Sequence, residues 1–228
     1  MCMPIPSSAQ SQQPGYSVSV RELGIPPKAL HAFKQGMNCL AKKDPAGSLP
    51  HFQLAISEYS GYFEAYDRLG AAELKLWHVP EAERAFRKSI EVSGGQYAHP
   101  LLALGAILDD QKKFAEAITV IHNGLVLDPE SWAGHYYLGL ALFGLNRLED
   151  AENSIREALL RNVNFPSAHL LLANIHAHEK DYQSLVADLN EYLRLAPDGP
   201  ASGWAEALRD SVQRRTFESQ GTSGLAQP

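Results

Sequence analysis

The chain has 228 residues, of which 45% are hydrophobic, and a formal net charge of −6. That apolar content supports a sizeable core, as one extended domain or two small ones, and excludes a disordered chain. The charge is mild, no long block of like charges occurs and no apolar run reaches the length of a membrane span, so neither nucleic acid nor membrane insertion is expected.

Residues 1–28 read as a loose N-terminal segment. Cys2 lies within it and Cys39 in a helical pattern, so no disulfide framework is expected and Cys39 reads as a small buried hydrophobe. The stretch "SSAQ" resembles the end of a secretory signal, but the basic and apolar regions that precede such a site are missing. As written, the chain is expected in the cytoplasm; export or a periplasmic location is the alternative if the true start lies upstream. "YSVSVREL" alternates briefly like a strand, without a visible partner. The segment "VSVRELGIPPKA" faintly resembles the join between a small β domain and a repeat array in some exported bacterial repeat proteins.

From residue 29 a pattern recurs every 34 or 35 residues, marked by Gly36, Gly70, Gly105, Gly139 and then Ala173. Small residues follow at Ser48, Ala82, Ala117 and Ala151, a series that Leu185 breaks. Large apolar residues come next, at Phe52, Phe86, Ile121, Ile155 and Leu189, and then small ones again at Ala55, Ser89, Gly124 and Ala158, with Tyr192 as the exception. Glycine inside a helix costs about 1 kcal/mol relative to alanine, yet Leu138, Leu142 and Leu145 keep helical spacing through Gly139. Packing must recover that cost. Antiparallel helices lie about 8–10 Å apart, and glycine on one with alanine on the other brings them to the close end of that range. On this reading Gly139 faces Ala151, and Ala158 and its equivalents admit the first helix of the next repeat.

A period near 34 with small residues on each of two helices is the mark of stacked helix-turn-helix repeats. The sequence resembles the tetratricopeptide repeat family. Its pattern is matched by Tyr66, Leu69, Gly70, Ala82 and Phe86, by Leu104, Gly105, Ala117 and Pro129, and by Leu138, Gly139, Ala151 and Ile155. The resemblance implies an all-α, right-handed helix-turn-helix solenoid of five repeats, at 29–62, 63–97, 98–131, 132–165 and 166–198. The glycine-rich "SGGQ" takes up the one extra residue between the second and third repeats. Ser131 is a plausible N-cap, and Pro100 and Pro166 stand in first turns. A start near Ser48 for the second helix of the first repeat would place Pro50 in a first turn, where its missing donor does no harm. With Leu185 and Tyr192 at small positions, the fifth pair is expected to splay or to pack its outer side differently. Residues 199–216 read as a capping helix with Trp204, Leu208 and Val212 on one apolar stripe, and 217–228 as a disordered tail.

Catalytic chemistry is not visible, so no enzyme is expected. His169, His176 and His178 cluster in "HLLLANIHAH", but no Cys, Asp or Glu completes a first shell at the usual spacing, so no metal is expected. His135 and His169 hold equal repeat positions, where the resemblance implies a bulky packing ring. Asp109 and Asp110 are adjacent on a helix, diverge, and read as a solvated face rather than an acid and base pair. No phosphate loop follows a strand, and no cofactor is expected.

The resemblance implies function through a concave groove lined by the first helix of each repeat. It places in that groove Phe33 and Met37, Asp67 and Ala71, Leu102 and Ala106, Tyr136 and Leu140, and Leu170 and Asn174. Only Asn174 fits the family members that grip a chaperone's C-terminal carboxylate, so that partner is disfavoured. An apolar groove with an acidic rim from Asp67 and Asp109 suits an amphipathic helix or apolar peptide of a partner protein, with Tyr136 as the aromatic anchor. Leu102 and Leu170 read equally as inter-repeat core, and Met37 as a gap-filler. The expected function is a non-catalytic adaptor or assembly scaffold, monomeric or weakly self-associating; the alternative is a regulatory or substrate-recruiting subunit of an enzyme on another chain.

Overall fold

In the computed structural model, which describes residues 24–223 and the side chains of 24–215, the chain is built of α-helices with no strand among the described residues. Five antiparallel pairs follow one another: α1 (Pro27–Ala41) with α2 (Pro45–Glu58), α3 (Phe63–Lys75) with α4 (Val79–Val92), α5 (Ala98–Asp110) with α6 (Phe114–Leu127), α7 (Trp132–Gly144) with α8 (Leu148–Arg161), and α9 (Pro166–Glu179) with α10 (Tyr182–Leu195). A last helix, α11 (Ser202–Ser223), closes the array. Each helix packs mainly on its neighbours in sequence, and α5 also on α7, which makes the chain an all-α solenoid. No helix of the described residues is long and apolar enough to cross a membrane.

Local chemistry sets the helix ends. Asp44, Ser131 and Asp181 cap α2, α7 and α10 by accepting from the amides of Gly47, Gly134 and Ser184. The turn inside every pair is made the same way, around Lys43, Trp77, Lys112, Asn146 and Lys180, all left-handed with φ of 58 to 62°. The next amide in each case donates to the carbonyl five residues back, as from Asp44 to Cys39 and from Arg147 to Leu142, both at 2.9 Å. This is the bond of a Schellman turn, whose left-handed position usually holds glycine. Here it holds a longer side chain, which for Trp77 is left 86% exposed.

The repeating glycines admit the large side chain of the second helix, not the small one. A Cβ on Gly139 would stand 2.5 Å from Ile155 Cδ1 and 3.3 Å from the Ala151 carbonyl oxygen. Gly36 meets Phe52, Gly70 meets Phe86 and Gly105 meets Ile121 in the same way. These four large residues are all but fully buried, and each contributes about 1.5–3 kcal/mol of apolar burial. The expected Gly139 to Ala151 contact is therefore secondary. At Gly124, the equivalent of Ala158, the atoms nearest a Cβ belong to Leu102 and Leu101 of its own repeat's first helix, and Leu102 also closes on Gly134 of the next repeat.

Several elements differ from the sequence-based expectation. The second helix of the first pair starts at Pro45, with Pro50 inside it. The Asp44 cap and a proline at the first position set that start, and the carbonyl of Ala46, which loses its partner to Pro50, belongs to an exposed residue open to water. Cys39 is only half-buried. In the fifth pair Leu185 and Tyr192 are both 2% exposed. Tyr192 reaches past α10, and its hydroxyl accepts from the Ala201 amide at 3.0 Å, so the bulky ring anchors the turn into α11. On α11 the buried face is Ala205 and Val212 with Leu208, while Trp204 turns outward, 49% exposed. The same helix runs on through residues 217–223, which the sequence reading assigned to the tail. The strand expected at 16–23 lies outside the described residues.

Candidate protein-binding face

The first helices of the second, third and fourth pairs form a continuous face with a cavity of about 370 Å³. Alanines from three helices line it, Ala71 from α3, Ala103 and Ala106 from α5 and Ala133 from α7, together with Leu74, Leu102, Phe86, His99, Tyr137 and Lys75. Small residues on successive helices leave the hollow, and the aromatic and aliphatic side chains beside them keep it apolar.

The groove residues anticipated from sequence are scattered over this and neighbouring surfaces. Phe33 is half-buried against the rings of Phe52 and Tyr62, at centroid distances of 5.7 and 4.9 Å, and Met37 is exposed on the same helix. Leu102 is 7% exposed and serves as inter-repeat core, although its edge reaches the cavity. Tyr136 is half-buried, edge-on to Phe165 at 4.7 Å. Leu140 packs on the central core and Leu170 on the core beneath α11, while Asn174 is exposed. His135 is tied to the Pro129 carbonyl at 2.9 Å. Tyr137, Leu74 and Lys75 were missed. Tyr137 adjoins Tyr136 in sequence, but the position scheme of the family pattern passes over it.

Asp67 does not form an open acidic rim. It is fully buried, accepting from His99 Nδ1 at 2.6 Å and from the Tyr97 hydroxyl at 3.4 Å, with Arg68 Nε 3.6 Å away. Those partners belong mostly to the third pair, so Asp67 staples α3 to α5 and the loop before it. Asp109 differs from expectation the other way. It is half-buried instead of solvated, and its Oδ1 is buried without a hydrogen-bond partner. Burial, reinforced by the neighbouring Asp110 charge, pushes its carboxyl up to about 6. Tyr136 is near enough to feel that charge, and its phenol is raised first by burial and then by Tyr137 and Asp109.

Because the folded chain holds the Asp109 proton more tightly than the unfolded chain, this residue favours folding most below about pH 4 and progressively less up to about pH 6. Above that the penalty is complete. Asp109→Asn should then stabilise the protein at about pH 7.5 by on the order of 1 kcal/mol, a figure discounted for partial solvation. The gain should vanish near about pH 4. Thermal melting of both proteins at the two pH values checks this.

The fold also assembles a group that spacing did not show. His176 of α9 is 6% exposed, with Nδ1 2.7 Å from Asp188 Oδ2 on α10 and Nε2 3.4 Å from Glu152 Oε1 on α8. His169 also faces Asp188, at 3.5 Å, whereas His178 stacks edge-on to Phe143. Glu179, one turn after His176, was the visible signal; Glu152 and Asp188 lie on other helices.

The family model for the tetratricopeptide repeat matches residues 102–154 and, overlapping, 136–200. No curated protein matches the sequence. Among solved structures, MamA from Desulfovibrio magneticus RS-1, from residue 41 to its end, superposes with a TM-score of 0.68 at 19% identity, over 78% of this chain and 99% of that one. PilW, described as a widely conserved type IV pilus biogenesis factor, gives a TM-score of 0.72 at 15% identity, over 86% of this chain and 92% of that one. YrrB, described as a TPR protein with an unusual peptide-binding site, gives 0.64 at 15% identity, over 78% and 92%. Identities this low speak for the fold. The family model identifies residues 102–200 as tetratricopeptide repeats, and the helix pairs before them, whose glycines are seated on Phe52 and Phe86 as Gly105 and Gly139 are on Ile121 and Ile155, continue the same fold.

Proposed function

We propose that the protein is a non-catalytic interaction scaffold that holds an apolar or amphipathic segment of a partner protein against α3, α5 and α7. One observation carries this reading: an apolar hollow lined by alanines is shared by α3, α5 and α7, and α5 also bears Asp109, whose Oδ1 has no hydrogen-bond partner. The hollow suits aliphatic or aromatic anchors, and a lysine or arginine of the partner beside Asp109 would offset the charge of its half-buried carboxylate. YrrB, which shares the fold, is described as binding peptide, and this supports the reading.

Selection of a displayed library of helical peptides on the full chain tests it. Enriched peptides should carry apolar residues at i and i+4 next to a basic residue. Their affinity should fall about tenfold in Tyr137→Ala, equivalent to losing one interface anchor, and also in Asp109→Asn. Peptides that bind both variants as well as the unsubstituted protein would place recognition elsewhere.

A further inference from the structure

We propose that Glu152, His176 and Glu179 form a binding site for a zinc-class divalent cation between the fourth and fifth helix pairs. His176 and Glu179 stand one turn apart on one face of α9 and Glu152 faces them from α8. One ligand atom from each lies within 4.8 Å of the others. The buried His176 ring is oriented from behind, because Asp188 Oδ2 accepts the Nδ1 proton at 2.7 Å. Nε2, on the far side of the ring, faces Glu152 Oε1 at 3.4 Å, and in the neutral ring with its proton on Nδ1 it offers a lone pair there.

In that tautomer Nε2 and Glu152 are two acceptors face to face, which a cation between them would satisfy. Zinc holds imidazole nitrogen and carboxylate oxygen at about 2.0–2.1 Å, so two such ligands on a tetrahedral centre stand about 3.4 Å apart. His176 and Glu152 already have that spacing. A carboxylate behind a ligating imidazole fixes its tautomer and strengthens it as a ligand. Three carboxylates, Glu152, Glu179 and Asp188, surround this one ring. The facing cation is Arg156, whose Nη2 lies 2.5 Å from Glu152 Oε1, but its side chain is 62% exposed and can swing into solvent. The bound ion would clamp α8 to α9, where the fifth repeat departs from the pattern of the others.

Zinc titration by calorimetry on the full, tag-free chain tests the site, with the cobalt absorption band as a report on coordination. One zinc per chain is expected, with a rise in melting temperature on its addition. Glu179→Gln, at an exposed position that leaves the core intact, should weaken binding about 100-fold and abolish the rise; Asp188→Asn should weaken it about tenfold. Arg156→Gln, which frees Glu152, should tighten it several-fold. His178→Asn should change nothing. Absence of zinc heat and of a cobalt band would overturn the proposal and leave His176 as a hydrogen-bonded link between Asp188 and Glu152. So would unchanged affinity in Glu179→Gln, or its loss in His178→Asn, which would place the metal on other histidines.

Discussion

Gly105→Ala is expected to destabilise the protein by about 1–3 kcal/mol, although alanine is the better helix former by about 1 kcal/mol. The new Cβ would fall inside the contact distance of Ile121 Cγ1 and 2.9 Å from its Cδ1, and Ile121 is fully buried. A methyl forced into a close-packed seam shifts the two helices of the pair apart. Ile121→Ala alone should cost about 2–5 kcal/mol through the cavity it leaves. The double variant should cost less than the sum by about 0.5–3 kcal/mol, because the new methyl enters the space vacated. Gly203→Ala is the control. It lies in α11 with nothing within 4 Å of its Cβ position, and the same substitution should be neutral or stabilise by up to about 1 kcal/mol. Urea denaturation of the four variants measures all of these terms, and a destabilising Gly203→Ala would show that helix context, not the seam, sets the sign.

Asp67→Ala is the second large effect, an expected loss of about 2–3 kcal/mol from removing charge-assisted bonds in a fully buried position. His99→Ala should cost at least as much, though the His99 side chain is half exposed, because it strips the 2.6 Å partner from a carboxylate that has no access to water. The two losses should not add: with both groups gone, no buried charge is left uncompensated. A double-mutant cycle by denaturant unfolding checks the coupling. Additive losses would mean that Tyr97 and Arg68 suffice to hold the carboxylate.

The contrast between Asp67 and Asp109 shows how far the sequence reaches. Both are acids on first helices, and both were placed on an acidic rim. Which one is stapled and which is left unpaired depends on His99 and Tyr97, which follow Asp67 by 32 and 30 residues at the start of the next repeat, and on the lack of such partners for Asp109 Oδ1. The cavity was half legible for the same reason. Ala71, Leu102 and Ala106 fall at the expected positions, but Tyr137 and Lys75, which also line it, stand at positions the pattern does not mark.

By itself the sequence determined the period, the helix pairs and the columns of glycine and large apolar residues. It could do so because each repeat packs on its immediate neighbours, so periodicity along the chain becomes periodicity in space. The αL turns at Lys43, Trp77, Lys112, Asn146 and Lys180 share that period but carry no glycine to announce them. Only the tertiary structure decided that Pro50 sits within a helix, that Trp204 faces outward, that Leu102 is core, and that Glu152 and Asp188 converge on His176. Those outcomes depend on which side chains of a neighbouring helix fill or leave a space. The one-dimensional pattern records the size of each residue but not the partner it meets across the seam.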